Sequence, residues 1–308
     1  ETVEYTDATL VVNAKITSKE GYISLLADDS ITMTAFGDVT TETSGNTIDI
    51  EANDSIAMSD GSLVATSNGT VRYQAFVGNI TIGEINAGAG NVALLAGGSI
   101  LDISNDTSSI DITANELLLR AGAAIGTDGI TVNHLETSVD RLSVKSTTGS
   151  AYVIENNSVE VGVVTVTVSR VQEDDTVNAL SADTLSGGES AGNLVIVTNA
   201  GNIETLATGG AITAAGNILL DAKANLMLGA AVSSTGGNIS MVSGGNFEQS
   251  AVGDVSAAGA GTIDVRVSGT MTMTDGAEIT SGSGNIRLAV TSSLQLGALS
   301  TSGDISIS

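Results

Sequence analysis

Gly216-Asn217-Ile218-Leu219-Leu220, Gly237-Asn238-Ile239-Ser240-Met241 and Gly284-Asn285-Ile286-Arg287-Leu288 are three occurrences of one phrase: a glycine-asparagine pair, an apolar residue, any residue, a second apolar residue. It also stands at Gly78-Asn79-Ile80-Thr81-Ile82, Gly90-Asn91-Val92-Ala93-Leu94 and Gly192-Asn193-Leu194-Val195-Ile196. A short phrase that keeps returning means one small structural unit stacked many times. The leading apolar residues Ile218, Ile239, Ile263, Ile286 and Ile305 are separated by 21, 24, 23 and 19 residues. A unit of about twenty-two residues is too short for a helix-turn-helix repeat and fits one coil of a β-solenoid.

Within a unit a second strand follows, as in Ala52-Asn53-Asp54-Ser55-Ile56-Ala57-Met58, Ala222 to Leu228 and Val267 to Met273, and then a short third segment such as Ala230-Ala231-Val232. Apolar residues two apart, with polar residues between, put one strand face in a core and the other in water. Three short strands per coil predict a triangular parallel β-helix of 12–13 coils, with a body about 60 Å long at ~4.8 Å per coil.

Composition agrees. The chain has no proline, where average usage gives roughly fifteen; an interior solenoid strand is hydrogen-bonded on both sides, so a residue without an N–H breaks a ladder almost anywhere. The 37 glycines supply corners. Aromatics are few, with no Trp, 4 Tyr and 3 Phe, which suits a narrow interior. The asparagines after the glycines are expected to form ladders of amide on amide.

The phrase lapses between Leu142 and Gly192. That stretch holds the alternating run Val164-Thr165-Val166-Thr167-Val168, the polar Gln172-Glu173-Asp174-Asp175-Thr176 and the segment Ser186-Gly187-Gly188-Glu189-Ser190. The organisation read from this is one column, with regular coils over 1–141 and 192–308 and an irregular part over 142–191 whose loop leaves the column.

Ten Lys and Arg stand against 35 Asp and Glu, a formal net charge of −25. Such a surface repels nucleic acid and anionic lipid, so neither nucleic-acid binding nor membrane insertion is expected. No cysteine is present, which removes disulfides and thiol chemistry. The sequence shows no secretory signal and does not open on Met, so it reads as a processed product or an excised stretch.

The Gly-Asn-Ile-x-Leu phrase, the Ala-x-x-Ser/Asn-Ile/Leu-x-Met/Leu strand after it and the lack of Pro and Cys resemble the repeat regions of filamentous-haemagglutinin-like proteins, the giant repeat-rich surface proteins of Gram-negative bacteria. Ala151-Tyr152-Val153-Ile154-Glu155-Asn156-Asn157-Ser158-Val159-Glu160-Val161-Gly162 is similar to a unit that interrupts their solenoids. The resemblance spans nearly the whole chain and implies an exported right-handed parallel β-helix, extracellular or at the cell surface, serving as stalk, adhesin or matrix fibre. Its partners would be further copies or repeats joined end to end, and host or matrix polysaccharide or protein.

Other readings are open at this point. A β-helical lyase or tailspike-like hydrolase needs paired carboxylates in a groove, commonly beside aromatic rings that stack on sugars. Carboxylates on adjacent coils, such as Asp264 with Asp254 or Glu278, are expected by coincidence among so many acids, and the aromatic platform is missing. A passive stalk whose binding head lies elsewhere is the third reading. His134, the single histidine, reads as a polar corner residue, since one histidine and no cysteine build neither a histidine-based zinc site nor a catalytic triad on a helix elbow. No catalytic or cofactor-binding residue is assigned.

Calcium is the one candidate ion, with oxygen ligands available at Asp28, Asp29, Asp54, Asp106, Asp174 and Asp175, though none matches a calcium-loop spacing. Asn53, Asn68, Asn105 and Asn156 head Asn-x-Ser/Thr triplets at corners and are the glycan candidates. Interface residues are expected at Leu10 and Val12 in the first coil, at Ile305 and Ile307 in the last, and at Val164, Val166 and Val168, whose strand face could add to another sheet edge. No polar cap is legible at Ile305 and Ile307, so the column is expected to continue there.

Overall fold

The computed structural model describes residues 8–103, 109–127 and 133–308. It is an all-β parallel β-solenoid of about 12 coils with a spacing near 24 residues, and no described residue is helical. The chain divides into two compact units, Glu1–Ser138 with Val164–Thr184, and Val139–Val163 with Leu185–Ser308.

In the first unit each coil contributes one strand to each of three parallel sheets. The first sheet stacks Leu10–Val12, Ile31–Met33, Ile56–Met58, Ile80–Ile82 and Ile100–Asp102. The second runs through Ile16–Ser18, Val39–Thr41, Leu63–Thr66, Glu84–Asn86, Ile112–Thr113 and Leu135–Ser138. The third stacks Ile23–Ala27, Ile48–Ala52, Val71–Ala75, Val92–Ala96 and Glu116–Ala121. Ile31, Ile56, Ile80 and Ile100 pair coil to coil and are wholly buried. A β-branched side chain on a half-buried pleated surface packs on its equivalent one coil away, which suits Ile to this row, headed by Leu10.

The second unit repeats the plan. Ile218, Ile239, Ile263, Ile286 and Ile305 stand in one register, as their spacing requires. The strands Leu226–Leu228, Phe247–Gln249 and Met271–Met273 form the next face, and Val232–Ser234, Val255–Ala257 and Glu278–Ser281 the third. The six-residue strand Arg141–Ser146 feeds two of these faces at once: Arg141 and Leu142 pair with Glu160 and Val161, while Val144, Lys145 and Ser146 pair with Gly188, Glu189 and Ser190. Ala151–Glu155 pairs in parallel with Leu194–Thr198, so the irregular stretch is narrower than the lapse of the phrase indicates.

Two expectations about the phrase are corrected. Ile80 and Val92 belong to different sheets, Ile80 pairing with Ile56 and Ile100 and Val92 with Val71 and Leu117. The phrase therefore marks a kind of corner and can occur twice in one coil. Nor do the asparagines join mainly amide to amide. The side-chain oxygen of Asn193 accepts from the backbone N–H of Asn217, Asn217 from Asn238, and Asn238 from Thr262, at 2.8–2.9 Å. A parallel row runs from Asn202 through Asn225 and Asn246 to Thr270. Each amide satisfies a corner N–H that the sheet ladders leave over. Amide-to-amide contacts, such as Asn238 Nδ2 to Asn217 Oδ1 at 3.3 Å, accompany this pattern at some steps. The glycine of the phrase is needed for closeness: a Cβ on Gly237 would overlap the Gly216 carbonyl, and one on Gly284 the Gly261 carbonyl.

Candidate functional site

Residues 164–184 leave the coil as an antiparallel arm whose strands Ser169–Val171 and Val177–Ala179 pair with each other. Gln172 to Thr176 form its tip, closed by the Gln172 N–H donating to the Thr176 carbonyl at 2.8 Å, with Asp175 at φ 64°. The arm lies across the third sheet of the first unit. Arg120 Nη2 donates to the Thr184 carbonyl at 2.9 Å, Asn91 Nδ2 to that of Thr165 at 3.4 Å, Ser169 N–H to Thr47 Oγ1 at 3.0 Å and Val171 N–H to Ser24 Oγ at 2.9 Å. These anchors come from strands at both ends of the five-stranded sheet. Outward positions that would otherwise meet water, Asp49, Ala93 and Leu118, are consequently wholly buried.

The centre of this contact is ionic. Arg170 grips Glu51 through two nitrogens, at 3.0 and 2.6 Å, and reaches Asp49 at 2.6 Å. Arg72 contacts Asp49 at 2.9 Å, Glu51 at 3.2 Å and, on the arm, Asp183 at 3.1 Å. Register puts Asp49 and Arg72 side by side on neighbouring strands, and the planar guanidinium forks match the carboxylates they meet. Burial pushes the Glu51 carboxyl up, but its hydrogen bonds and charge contacts with Arg170 and then Arg72 outweigh that and leave it below the usual range. The Arg170 guanidinium is held more firmly protonated, chiefly by its hydrogen bonds to Glu51. Burial alone would lower the Arg72 pKa, and the Asp49 charge beside it raises it overall.

A second constellation in the same unit joins Asp102, Asp111 and Glu136, all buried, with one carboxylate oxygen of each within 4.8 Å of the others. Asp111 Oδ2 accepts from the Glu136 N–H at 2.8 Å. Burial, then the Asp102 charge, pushes the Asp111 carboxyl up to about 9, because adjacent carboxylates in a low-dielectric setting cannot all ionise. A cavity of about 160 Å³ opens beside the trio, with Asp60, Glu84, Asp102 and Asp111 in its wall. Chemically the trio can share a proton, and its oxygens are of the kind that hard cations accept.

Of the calcium candidates, Asp29 accepts from Thr9 Oγ1 at 2.8 Å and Asp54 from Ser30 Oγ at 3.5 Å. Asp28 is exposed on the same stacked corners. Asp174 spends Oδ1 on Thr176, accepting from its hydroxyl at 2.6 Å and its N–H at 3.1 Å, and these bonds hold the carboxyl below its usual range. Asp106 and Asn105 lie outside the described residues. Asn53, Asn68 and Asn156 are exposed and His134 is half-buried.

The interface expectations fare unequally. Val164, Val166 and Val168 are buried, which corrects their assignment as a docking face: the arm turns that side inward. Val12 is buried and Leu10 half-buried in the strand paired with Ile31–Met33. Ile305 and Ile307 are close to half exposed. Sequence reasoning missed both the ionic clamp and the acid trio; aligning coils by register, so that Asp111 and Glu136 fall one before the paired Ile112 and Thr137, is the signal that finds the second.

Compared with protein families, with curated proteins and with solved structures, the chain matches none.

Proposed function

We propose that the chain is a non-enzymatic structural or adhesive segment of an extracellular or cell-surface fibre. The observation that carries the reading is the repetition itself. Coil after coil buries the same hydrocarbon rows and closes the same corner hydrogen bonds, a construction whose natural product is length and stiffness. The acidic surface keeps such β-rich bodies apart laterally. Further repeats, from this or another copy, would stack over the apolar pairs Leu10 and Val12 or Ile305 and Ile307, continuing the hydrogen-bond ladder.

The rival reading, a polysaccharide-active enzyme, would draw on Asp102, Asp111 and Glu136. Their burial and the small volume beside them count against it, since ligand sites commonly measure ~300–1,000 Å³ and a polymer needs an open groove.

Antibody labelling of intact against permeabilised source cells, with adhesion assays on cells lacking the segment, tests the proposal. Surface labelling and lost adhesion or fibre integrity are expected. Labelling confined to permeabilised cells overturns the location. Release of reducing ends from a polysaccharide by the purified chain, abolished in Asp111→Asn, overturns the non-enzymatic role.

A further inference from the structure

A groove of about 790 Å³ lies in the first unit between the tip of the arm and a row of stacked corners. Its wall includes Leu26 and Phe76, 49% and 55% exposed, together with Asp28, Glu51, Asn53 and Glu173. Register explains the arrangement. Ala27, Ala52 and Ala75 pair across three coils, so the residues that follow them, Asp28, Asn53 and Phe76, form one corner row. Leu26 pairs with Glu51 on the outward face beside that row, and the arm brings Glu173 in from above. Leu26 and Phe76 are two of several exposed apolar side chains on this surface, Phe36 and Val77 being more exposed still, and here the pair stands in one groove beside carboxylates.

The charges decide what the groove can take. No Lys or Arg is among its described lining residues. Glu51 is already engaged by Arg170 and Arg72, which leaves Asp28 and Glu173 as the charges facing an occupant. We propose that this groove is a docking site for a lysine- or arginine-bearing peptide segment of another protein. The methylene stem of such a side chain lies along Leu26 and the Phe76 ring, and its cationic head reaches Asp28 and Glu173. A second copy of this chain is a poor occupant, because it brings 10 basic residues against 35 acidic ones and meets its own sign of charge. The contact goes beyond the structural role proposed above, which does not depend on it.

Calorimetric titration with a blocked hexapeptide of alternating Lys and Gly tests the proposal, with the Glu-Gly peptide as its opposite. Because a net charge of −25 attracts any polycation, the controls carry the decision. The Asp28→Asn/Glu173→Gln variant is compared with Glu42→Gln/Asp140→Asn, which removes the same charge at two other exposed positions. The first pair is expected to weaken binding about tenfold and Phe76→Ala about two- to fivefold, while the control pair binds as the parent does. All altered side chains are exposed, and circular dichroism verifies that the fold is kept. Equal loss in both charge pairs overturns the site in favour of general attraction. Self-association by sedimentation that Phe76→Ala abolishes overturns it in favour of a second copy, and binding of a neutral oligosaccharide in place of the lysine peptide does so in favour of a sugar site.

Discussion

At the scale of single residues, Asp111 and Glu51 respond to pH in opposite senses. The Asp111 pKa is raised from an ordinary 3.8 to about 9. Its contribution to stability is therefore complete below the unfolded value and is lost as pH rises toward 9. Asp111→Asn should accordingly raise the melting temperature at pH 8 and leave it nearly unchanged at pH 4, read by thermal scans at both. Glu51 is lowered, so its contribution is present above an unfolded value near 4.5 and disappears as pH falls through the folded one. Gly237→Ala adds one methyl where the Gly216 carbonyl already sits. It should lower stability by about 1–3 kcal/mol, measured by denaturant midpoint. The carboxylate environments were not readable from local sequence. Asp102, Asp111 and Glu136 are separated by 9 and 25 positions, and only the register of unequal coils brings them together.

At the scale of elements, the strands were legible because each carries its own period-two pattern and its own corner. The set Ile218, Ile239, Ile263, Ile286 and Ile305 pairs as its spacing indicates. The arm was legible as an interruption but not as to where it goes. Alternating Val and Thr specify a strand with one apolar side but not its partner, and the arm they lead into docks on a sheet distant in sequence, as the bond from Val171 to Ser24 shows. Arg170→Ala would leave Asp49, wholly buried, and Glu51 with one guanidinium fewer, at a cost of about 3–5 kcal/mol. The arm should then open while the coils persist. Hydrogen exchange should rise over residues 164–184, and proteases should cut near Asp174. Acid should loosen the same element in the unaltered protein as pH falls below the ordinary 4.5 of a glutamate and through the lowered Glu51 value, whereas 1 M salt should do so weakly, since buried pairs are poorly screened.

For the whole molecule, stability in a solenoid is close to a sum over neighbouring coils. Ile239→Asp, at a position 1% exposed, places an unpaired carboxylate between two coils at a cost of several kcal/mol. Exchange protection should fall first in the strands Ile218–Ala222, Ile239–Ser243 and Ile263–Val267, with distant coils of the same unit still protected; uniform loss would mean that the unit melts as one block. The corner asparagines add a polarity that the hydrocarbon rows lack. Asn79 accepts from the N–H of Ser99, Asn193 from Asn217, Asn225 from Asn246 and Asn285 from Asp304. In each case the oxygen belongs to the earlier coil and the N–H to the later one. Through these side chains a completed coil holds out acceptors to chain that has not yet been laid down, while its strand N–H groups, such as that of Ile218 to the Asn238 carbonyl, still wait for that chain. A polypeptide threaded out amino end first meets side-chain acceptors ready at each of these corners, while one fed from the other end finds there N–H donors waiting for a side chain still to come.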